Sequence, residues 1–219
     1  MTHASVAAAV VTGVMRRSRR KKWGLYVKAF PPVRGEHVLD VGVSALDIAE
    51  ENYFLDRYPY PDQITAVGID DVSDLRDRYP SVTFRQADGR ALPYADDSFD
   101  VVHSNAVVEH VGDREQQRIF ISELVRVART GGFVTTPNRW FPIEAHTRAP
   151  FLHWLPRSAF VHVLKRTGRV PVVGDWNTWL LSARQFLALF PPQVGVTLVR
   201  GRMLGVDATL NVLFSKPRG

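Results

Sequence analysis

The chain has 219 residues, a net charge of +6 and no cysteine. Hydrophobic residues make up 45% and charged residues 23%, which is typical of a globular domain that buries a sizeable core. The lack of cysteine excludes a disulfide framework, a thiolate metal site and a cysteine nucleophile, and it agrees with a cytoplasmic location.

The pattern over residues 1–30 predicts a basic, helical segment. In it, an apolar stretch precedes the run RRSRRKKW. The apolar stretch is too short to span a bilayer, and the order is the reverse of a secretory signal. One interpretation is a surface helix with solvated cations. Another is a patch between Arg16 and Lys22 that makes peripheral contact with an anionic membrane or holds a phosphorylated substrate. Nucleic acid is not expected, because aromatic and basic residues do not interleave along the chain.

Strand-like and helix-like segments alternate over residues 31–219, which predicts an α/β fold with a mostly parallel, Rossmann-like sheet and helices on both faces. Seven strands are predicted at residues 37–41, 64–69, 82–86, 99–104, 133–136, 195–199 and 209–214. The connection before the last strand is too short for a crossover helix. The last strand is therefore predicted to run antiparallel.

The clearest helix is predicted over residues 113–130. Asp113 is placed to cap it, with Gln116 three residues later as in a capping box, and Gly131 is placed to end it. The apolar stripe of this helix is formed by Phe120, Leu124, Val127 and Ala128.

Residues 137–190 form a stretch longer than one helical crossover needs, which predicts a lid or substrate cover within the domain. It holds four of the five tryptophans, namely Trp140, Trp154, Trp176 and Trp179. Trp140 and Trp154, with Phe141 and His153, are candidate walls of an apolar or sugar-binding pocket, and the alternative is that they form the core of the cover.

Polar residues or glycines follow five successive predicted strands. They are Asp40 and Gly42, then Asp70 and Asp71, then Asp88 and Gly89, then Ser104 and Asn105, and last Thr136, Pro137 and Asn138. In an open parallel sheet, ligands bind outside the carboxyl ends of the strands. A single acid there has an ordinary loop role, whereas this ordered set predicts a ligand site.

In this order and spacing the motifs resemble those of class I S-adenosylmethionine (SAM)-dependent methyltransferases, in the small-molecule branch that includes quinone-biosynthesis enzymes. VLDVG resembles the first motif and AVGIDDVS the motif of the second strand. The run FRQADGRALPYADDSFDVVHSNAVVEHV resembles the third to fourth strands, and RTGGFVTTPN resembles the fifth. The resemblance extends from Val38 to Asn138, nearly half of the chain.

The resemblance implies SAM as the cofactor. The residues it assigns to the cofactor are Asp40, Gly42, Ser44, Asp70, Asp71, Asp88, Gly89 and Asn105. A carboxylate after the second strand accepts hydrogen bonds from the two ribose hydroxyls, and either Asp70 or Asp71 fits this position. Asp88 is expected to accept from the adenine amino group.

The first loop departs from the family pattern. The family usually has three glycines at alternate positions after the first acid, but here Ser44 and Leu46 stand in two of those places. The spacing from Asp40 to Asp71 is also longer than usual, and the extra residues around 50–53 are candidates to reach the ligand. We expect a reshaped loop that still binds the cofactor.

Methyl transfer from a sulfonium is an in-line displacement that needs alignment and, for a hydroxyl, a proton acceptor. Glu144 and His146 are the candidate acceptors, with Glu109 and His110 as alternatives, and His103 is interpreted as a core residue. The predicted substrate contacts are Asn138, Arg139 and Trp140. Some quinone O-methyltransferases bind a metal through Glu-x-x-Glu-His, but Ala106 replaces the first of those acids here, so no metal is expected.

The sequence therefore predicts SAM-dependent methylation of a small molecule, more at oxygen than at nitrogen or carbon. A second hypothesis is a degenerate relative that binds partners without catalysis, which the missing glycines favour. A third is a nicotinamide-dependent dehydrogenase, against which the poor Gly-x-Gly-x-x-Gly match argues. The identity of the substrate and the oligomeric state are left open.

Overall fold

The computed structural model describes residues 3–44, 52–144, 150–168, 178–203 and 205–217, and for residues 3–12, 14 and 15 it describes the backbone alone. The strands are β1 Val38–Val41, β2 Ile64–Gly68, β3 Thr83–Gln86, β4 Phe99–Asn105, β5 Ala128–Pro137, β6 Gly195–Met203 and β7 Val206–Ser215. The α-helices are α1 His3–Ala29, α2 Tyr53–Arg57, α3 Ser73–Arg78, α4 Arg114–Val127, α5 Arg157–Arg166 and α6 Ala183–Leu187. Two short 3₁₀ turns lie at Pro61–Gln63 and Leu152–Trp154.

The seven strands form one sheet in the order β3-β2-β1-β4-β5-β7-β6. β1 pairs in parallel with both β2 and β4, whereas β7 runs antiparallel to β5 and β6. The predicted fold class and the antiparallel last strand are confirmed. The order reverses between β1 and β4, which is where open α/β sheets bind their ligands.

Each face of the sheet carries its own hydrophobic core. On one face, Leu39 and Val102 of the central strands pack with Phe120 and Leu124 of α4. On the other face, Tyr26 of α1 joins the second core, which α2 and the central strands also supply. Tyr26 is only 1% exposed, so the predicted segment 1–30 shares its core with the domain that follows.

The predicted helix over residues 113–130 is correct at its start and wrong at its end. Asp113 caps it by accepting from the backbone N–H groups of Glu115 and Gln116, but α4 ends at Val127 and β5 begins at once. Gly131 lies inside the strand, where a Cβ atom would come 2.1 Å from the carbonyl oxygen of Phe214. This glycine permits close strand packing and does not end the helix.

Candidate cofactor and active site

An open cleft lies at the switch point, beside the carboxyl ends of β1 and β4. Its floor includes Asp40 and Gly42, its far end Asn105, and one wall the last turns of α1. Three of the predicted cofactor residues therefore share one cleft. The contribution of α1 was not predicted.

Asp40 and His103 form a buried pair on the floor of this cleft. The ring nitrogen Nδ1 of His103 lies 2.7 Å from Oδ1 of Asp40, in a hydrogen bond that the ring N–H donates. The imidazole stacks on Phe54 with the ring centroids 4.0 Å apart, and Tyr26 meets it edge-on. His103 is a core residue, as predicted, and it also holds the first acid of the motif in place.

The reshaped loop after β1 uses its own backbone groups. Gly42 has φ +103°, and a Cβ atom there would lie 2.0 Å from Val107, so glycine is required. The N–H groups of Gly42 and Val43 both donate to the carbonyl of Val67, at 2.7 and 3.2 Å. The N–H of Ser44 donates to the side chain of Asn52 (3.3 Å), which donates back to the carbonyl of Ser44 (2.9 Å).

Asn52, which belongs to the extra segment, therefore holds the loop after β1 in place. The sequence did not indicate this role. It is buried, although asparagine is usually exposed. Tyr53 of the same segment also lines the cleft, whereas residues 50 and 51, and Leu46 of the loop, lie outside the described residues.

The two acids after β2 differ in their surroundings. Both are exposed. Asp71 accepts a hydrogen bond from the backbone N–H of Ser73 at 2.9 Å, and the hydrogen bonds from Ser73 lower the pKa of its carboxyl. Asp71 thus serves the start of α3, while the carboxylate of Asp70 makes no hydrogen bond to the described residues.

Asp88 is already paired before any ligand binds. Its two carboxylate oxygens accept from the Nε and Nη2 atoms of Arg90, at distances of 2.6–3.0 Å. Arg90 also donates to the carbonyl of Val111 and to the side chain of Gln116, which ties the end of β3 to the start of α4. These hydrogen bonds from Arg90 hold the pKa of Asp88 below its usual range. Gly89, next to it, lies against the ring of Phe120.

Lys22 lies at the far end of the cleft, between the ends of β4 and β5. Its ammonium group donates to Oδ1 of Asn105 at 2.8 Å and to Oγ1 of Thr135 at 3.2 Å. Burial lowers its pKa to about 8. The interpretation of the whole run 16–22 as a solvent-facing or membrane-facing patch is therefore wrong for Lys22, although Arg16, Arg17, Arg20 and Lys21 are exposed.

A signal for this placement was present in the sequence. Trp23, Tyr26 and Phe30 recur at helical spacing directly after the basic run, which indicates a buried helix face. Lys22 stands four residues before Tyr26 and so shares its face.

Comparison with known proteins agrees with this geometry. A family described as "Methyltransferase domain" matches residues 39–136, the segment that includes Asp40, Gly42 and Asn105 of the cleft. Residues 39–136, a little under half of the chain, are therefore similar to methyltransferase domains. A probable S-adenosylmethionine-dependent methyltransferase of Mycolicibacterium smegmatis is 46% identical over 70 residues, which is 31% of this chain and 26% of that protein.

Two further relatives extend the comparison. The ubiquinone biosynthesis O-methyltransferase of Agrobacterium fabrum is 30% identical over 152 residues, covering 63% of this chain and 56% of its own length. The solved structure of the N-methyltransferase NodS of Bradyrhizobium japonicum, in complex with S-adenosyl-L-homocysteine (SAH), superimposes with a TM-score of 0.55 at 13% identity, covering 91% of this chain and 87% of that one. The chain thus spans 26% and 56% of the two curated relatives.

The described residues of the predicted cover segment, 137–190, are absent from the cleft lining. Asn138 donates to the carbonyl of Asp207 and accepts from the N–H of Trp140, so it shapes the turn after β5. Trp140 is 55% exposed, whereas Glu144 is buried. His146 and Trp176 lie outside the described residues. The substrate and catalytic roles of these residues stay predictions.

The aromatic residues of the cover pack on one another. Trp154 donates its indole N–H to the carbonyl of Arg139 at 3.0 Å, and its ring lies 6.2 Å from that of Trp140. Nε2 of His153 lies 2.9 Å from the carbonyl oxygen of Phe141, and burial lowers the pKa of this histidine. Trp140 and Trp154 are nevertheless 55% and 39% exposed, so their roles as walls of a ligand pocket or as the core of the cover stay predictions.

Glu109, an alternative acceptor, is fully buried. Its Oε2 accepts from the hydroxyl of Thr136 at 3.0 Å, and its Oε1 has no partner among the described residues. The described residues hold no cluster of three or more potential metal ligands. None of the described helices is both long and apolar enough to cross a membrane.

Proposed function

We propose that the protein is a SAM-dependent methyltransferase that methylates a hydroxyl group of a small molecule, with an aromatic, quinone-like acceptor as the preferred class. The cleft at the switch point supports this proposal, because Asp40 of β1 lines it and the acids that follow β2 and β3 stand in the family's order along the chain. The named ubiquinone relative supports oxygen as the methylated atom and a quinone-like acceptor.

The described residues fit such a cofactor. Gly42 permits the tight turn after β1, which a Cβ atom would prevent by clashing with Val107, and the exposed carboxylate of Asp70 is available to two ribose hydroxyls. Asp88 is proposed to accept from the adenine amino group, and Asn105, which lines the cleft at the end of β4, is proposed to meet the cofactor. When bound, SAM supplies a methyl group on a positively charged sulfur.

The protein must then align the hydroxyl oxygen in line with the methyl group and accept the hydroxyl proton. Glu144 and His146 are the proposed proton acceptors, with Glu109 as the alternative. The cover segment 137–190 is proposed to close over the acceptor. Placing the oxygen and removing its proton are the two contributions expected from this chain.

The deciding experiment is calorimetric titration with SAH, followed by incubation of the protein with SAM and a panel of hydroquinones and phenols. We expect saturable SAH binding and a mass increase of one methyl group in at least one acceptor. If SAH does not bind, the alternative of a degenerate binding protein replaces this proposal, and the internally bonded loop after β1 would then explain the loss. Titration with reduced nicotinamide cofactor tests the remaining alternative of a dehydrogenase.

Methyl transfer is expected to continue in the presence of a chelator, because the predicted metal motif is broken at Ala106. The measurement is turnover with and without EDTA, followed by addition of magnesium or zinc. Loss of turnover with EDTA and recovery with either ion would contradict the expectation.

Replacing Arg90 with methionine should change how SAH affinity depends on pH. Arg90 holds the pKa of Asp88 low, so the Asp88 carboxylate of the parent stays ionised in mild acid. Without Arg90 this pKa rises toward its ordinary value of about 3.9, so the acceptor for the adenine amino group is lost at a higher pH. At pH 7 the variant should bind SAH no more weakly than the parent, because Asp88 is ionised in both.

The test compares SAH dissociation constants from pH 7 to pH 4 for the parent and the variant. Arg85→Met is the control, since Arg85 is an exposed cation on the neighbouring strand β3. If the dissociation constants of the parent and of Arg90→Met depend on pH in the same way, Asp88 does not bind the cofactor.

A further inference from the structure

The amino-acid tail of the cofactor carries a carboxylate that needs hydrogen-bond donors or a cation. In the described part of the loop after β1, the three N–H groups from Gly42 to Ser44 already donate to Val67 and Asn52. In a glycine-rich loop these backbone N–H groups would point toward an anion, but here they already donate hydrogen bonds within the protein. A donor must come from another element of the cleft.

Lys22 has the properties of such a donor. It lines the cleft, and both acceptors of its ammonium group, on Asn105 and Thr135, are uncharged. Among the described residues no carboxylate lies within ion-pair distance of the ammonium group, although Glu109 is near enough to favour its charged form. A cation withdrawn from water is costly without an anion beside it, and an ammonium group has three N–H donors, of which two are used here.

We propose that Lys22, with Arg19 one turn earlier on α1, forms the subsite for the carboxylate of the cofactor's amino-acid tail. Both side chains line the same cleft as Gly42 and Asn105, so α1 supplies the positive charge that the loop does not. This inference rests on the proposed function, because it assigns part of the same cofactor site.

Proton binding provides an independent readout. The pKa of Lys22 is about 8 in the free protein, since burial and Arg19 lower it while Glu109 raises it. The other titratable groups around the cleft are Tyr26 on α1, Asp40 on β1, Tyr53 on α2 and His103 on β4. An anion beside Lys22 favours its charged form and raises its pKa. SAH binding above pH 8 should therefore take up a proton, and its affinity should fall as the pH rises past 8.

The experiment compares two ligands by calorimetry, SAH and 5′-methylthioadenosine, which has the same adenosine and thioether but no amino-acid tail. Lys22→Met should weaken SAH binding by about ten-fold or more, the loss expected for one charge-assisted hydrogen bond, and leave 5′-methylthioadenosine unchanged. Lys21→Met is the matched control, because Lys21 is the exposed neighbour on α1. Lys22→Met should also lose the proton uptake, which is measured by repeating the titration in buffers of different ionisation enthalpy.

Thermal unfolding without ligand separates this role from a structural one. In Lys22→Met the hydroxyl of Thr135 still donates to Oδ1 of Asn105 at 2.8 Å, so the midpoint of unfolding should stay the same or rise. A lower midpoint, or an equal loss of affinity for both ligands, would overturn the proposal, as would unchanged SAH affinity in a parent that binds SAH. If the parent itself binds no SAH, the proposed function fails together with this inference.

Discussion

Replacing His103 with leucine is expected to lower the free energy of unfolding by about 1–3 kcal/mol, the usual loss when a buried acceptor is left without its hydrogen-bond donor. Asp40 and His103 are 5% and 7% exposed, and their side chains are joined by a hydrogen bond of 2.7 Å. Without the imidazole, the Asp40 carboxylate stays buried with no partner to replace water. The lost stacking on Phe54 adds to the effect.

A double-mutant cycle in urea measures the pair itself. The double variant Asp40→Leu/His103→Leu should be more stable than His103→Leu alone, because it buries no unpaired carboxylate. His37→Leu, a change at an exposed histidine just before β1, controls for the loss of an imidazole. A loss under about 1 kcal/mol for His103→Leu would mean that water reaches Asp40 and that the pair is not buried in solution.

The sheet was predictable because its central strands are buried on both faces. Such strands read as short apolar runs bounded by glycine and acids, and β1 and β4 both fit this pattern. The reversed last strand followed from the length of one connection. The carboxyl ends of these strands then placed Asp40, Gly42 and Asn105 in one cleft without further information.

What the sequence could not give depends on contacts between distant residues. Gly131 reads locally as the end of a helix, but its role follows from Phe214 on a neighbouring strand. Lys22 reads as one cation of a solvated run, yet its partners Asn105 and Thr135 are 83 and 113 residues away. Asn52 likewise gains its role only after the loop has folded around it.

The choice between Asp70 and Asp71 is a case in which local geometry refines a motif. The two acids are adjacent, and both fit the family pattern after β2. Only Asp71 is engaged with the start of α3, through the N–H of Ser73. Asp70 therefore becomes the candidate acceptor for the ribose hydroxyls. A change at the adjacent Asp71 is the matched control for a change at Asp70.

Asp70→Ala is expected to weaken SAH binding by about ten-fold or more, whereas Asp71→Ala should leave the affinity near that of the parent. A carboxylate that accepts from both ribose hydroxyls makes charge-assisted hydrogen bonds, each worth roughly 1.5–3 kcal/mol. Asp71 acts instead on the helix start, so its loss should appear in the unfolding midpoint.

Calorimetry with SAH and with 2′-deoxy-SAH measures the difference. The parent should bind 2′-deoxy-SAH more weakly than SAH. Asp70→Ala should lower the affinity for 2′-deoxy-SAH by a smaller factor than the affinity for SAH. If Asp71→Ala alone lowers SAH affinity, the assignment is reversed, and if neither variant does, the ribose is held elsewhere in the cleft.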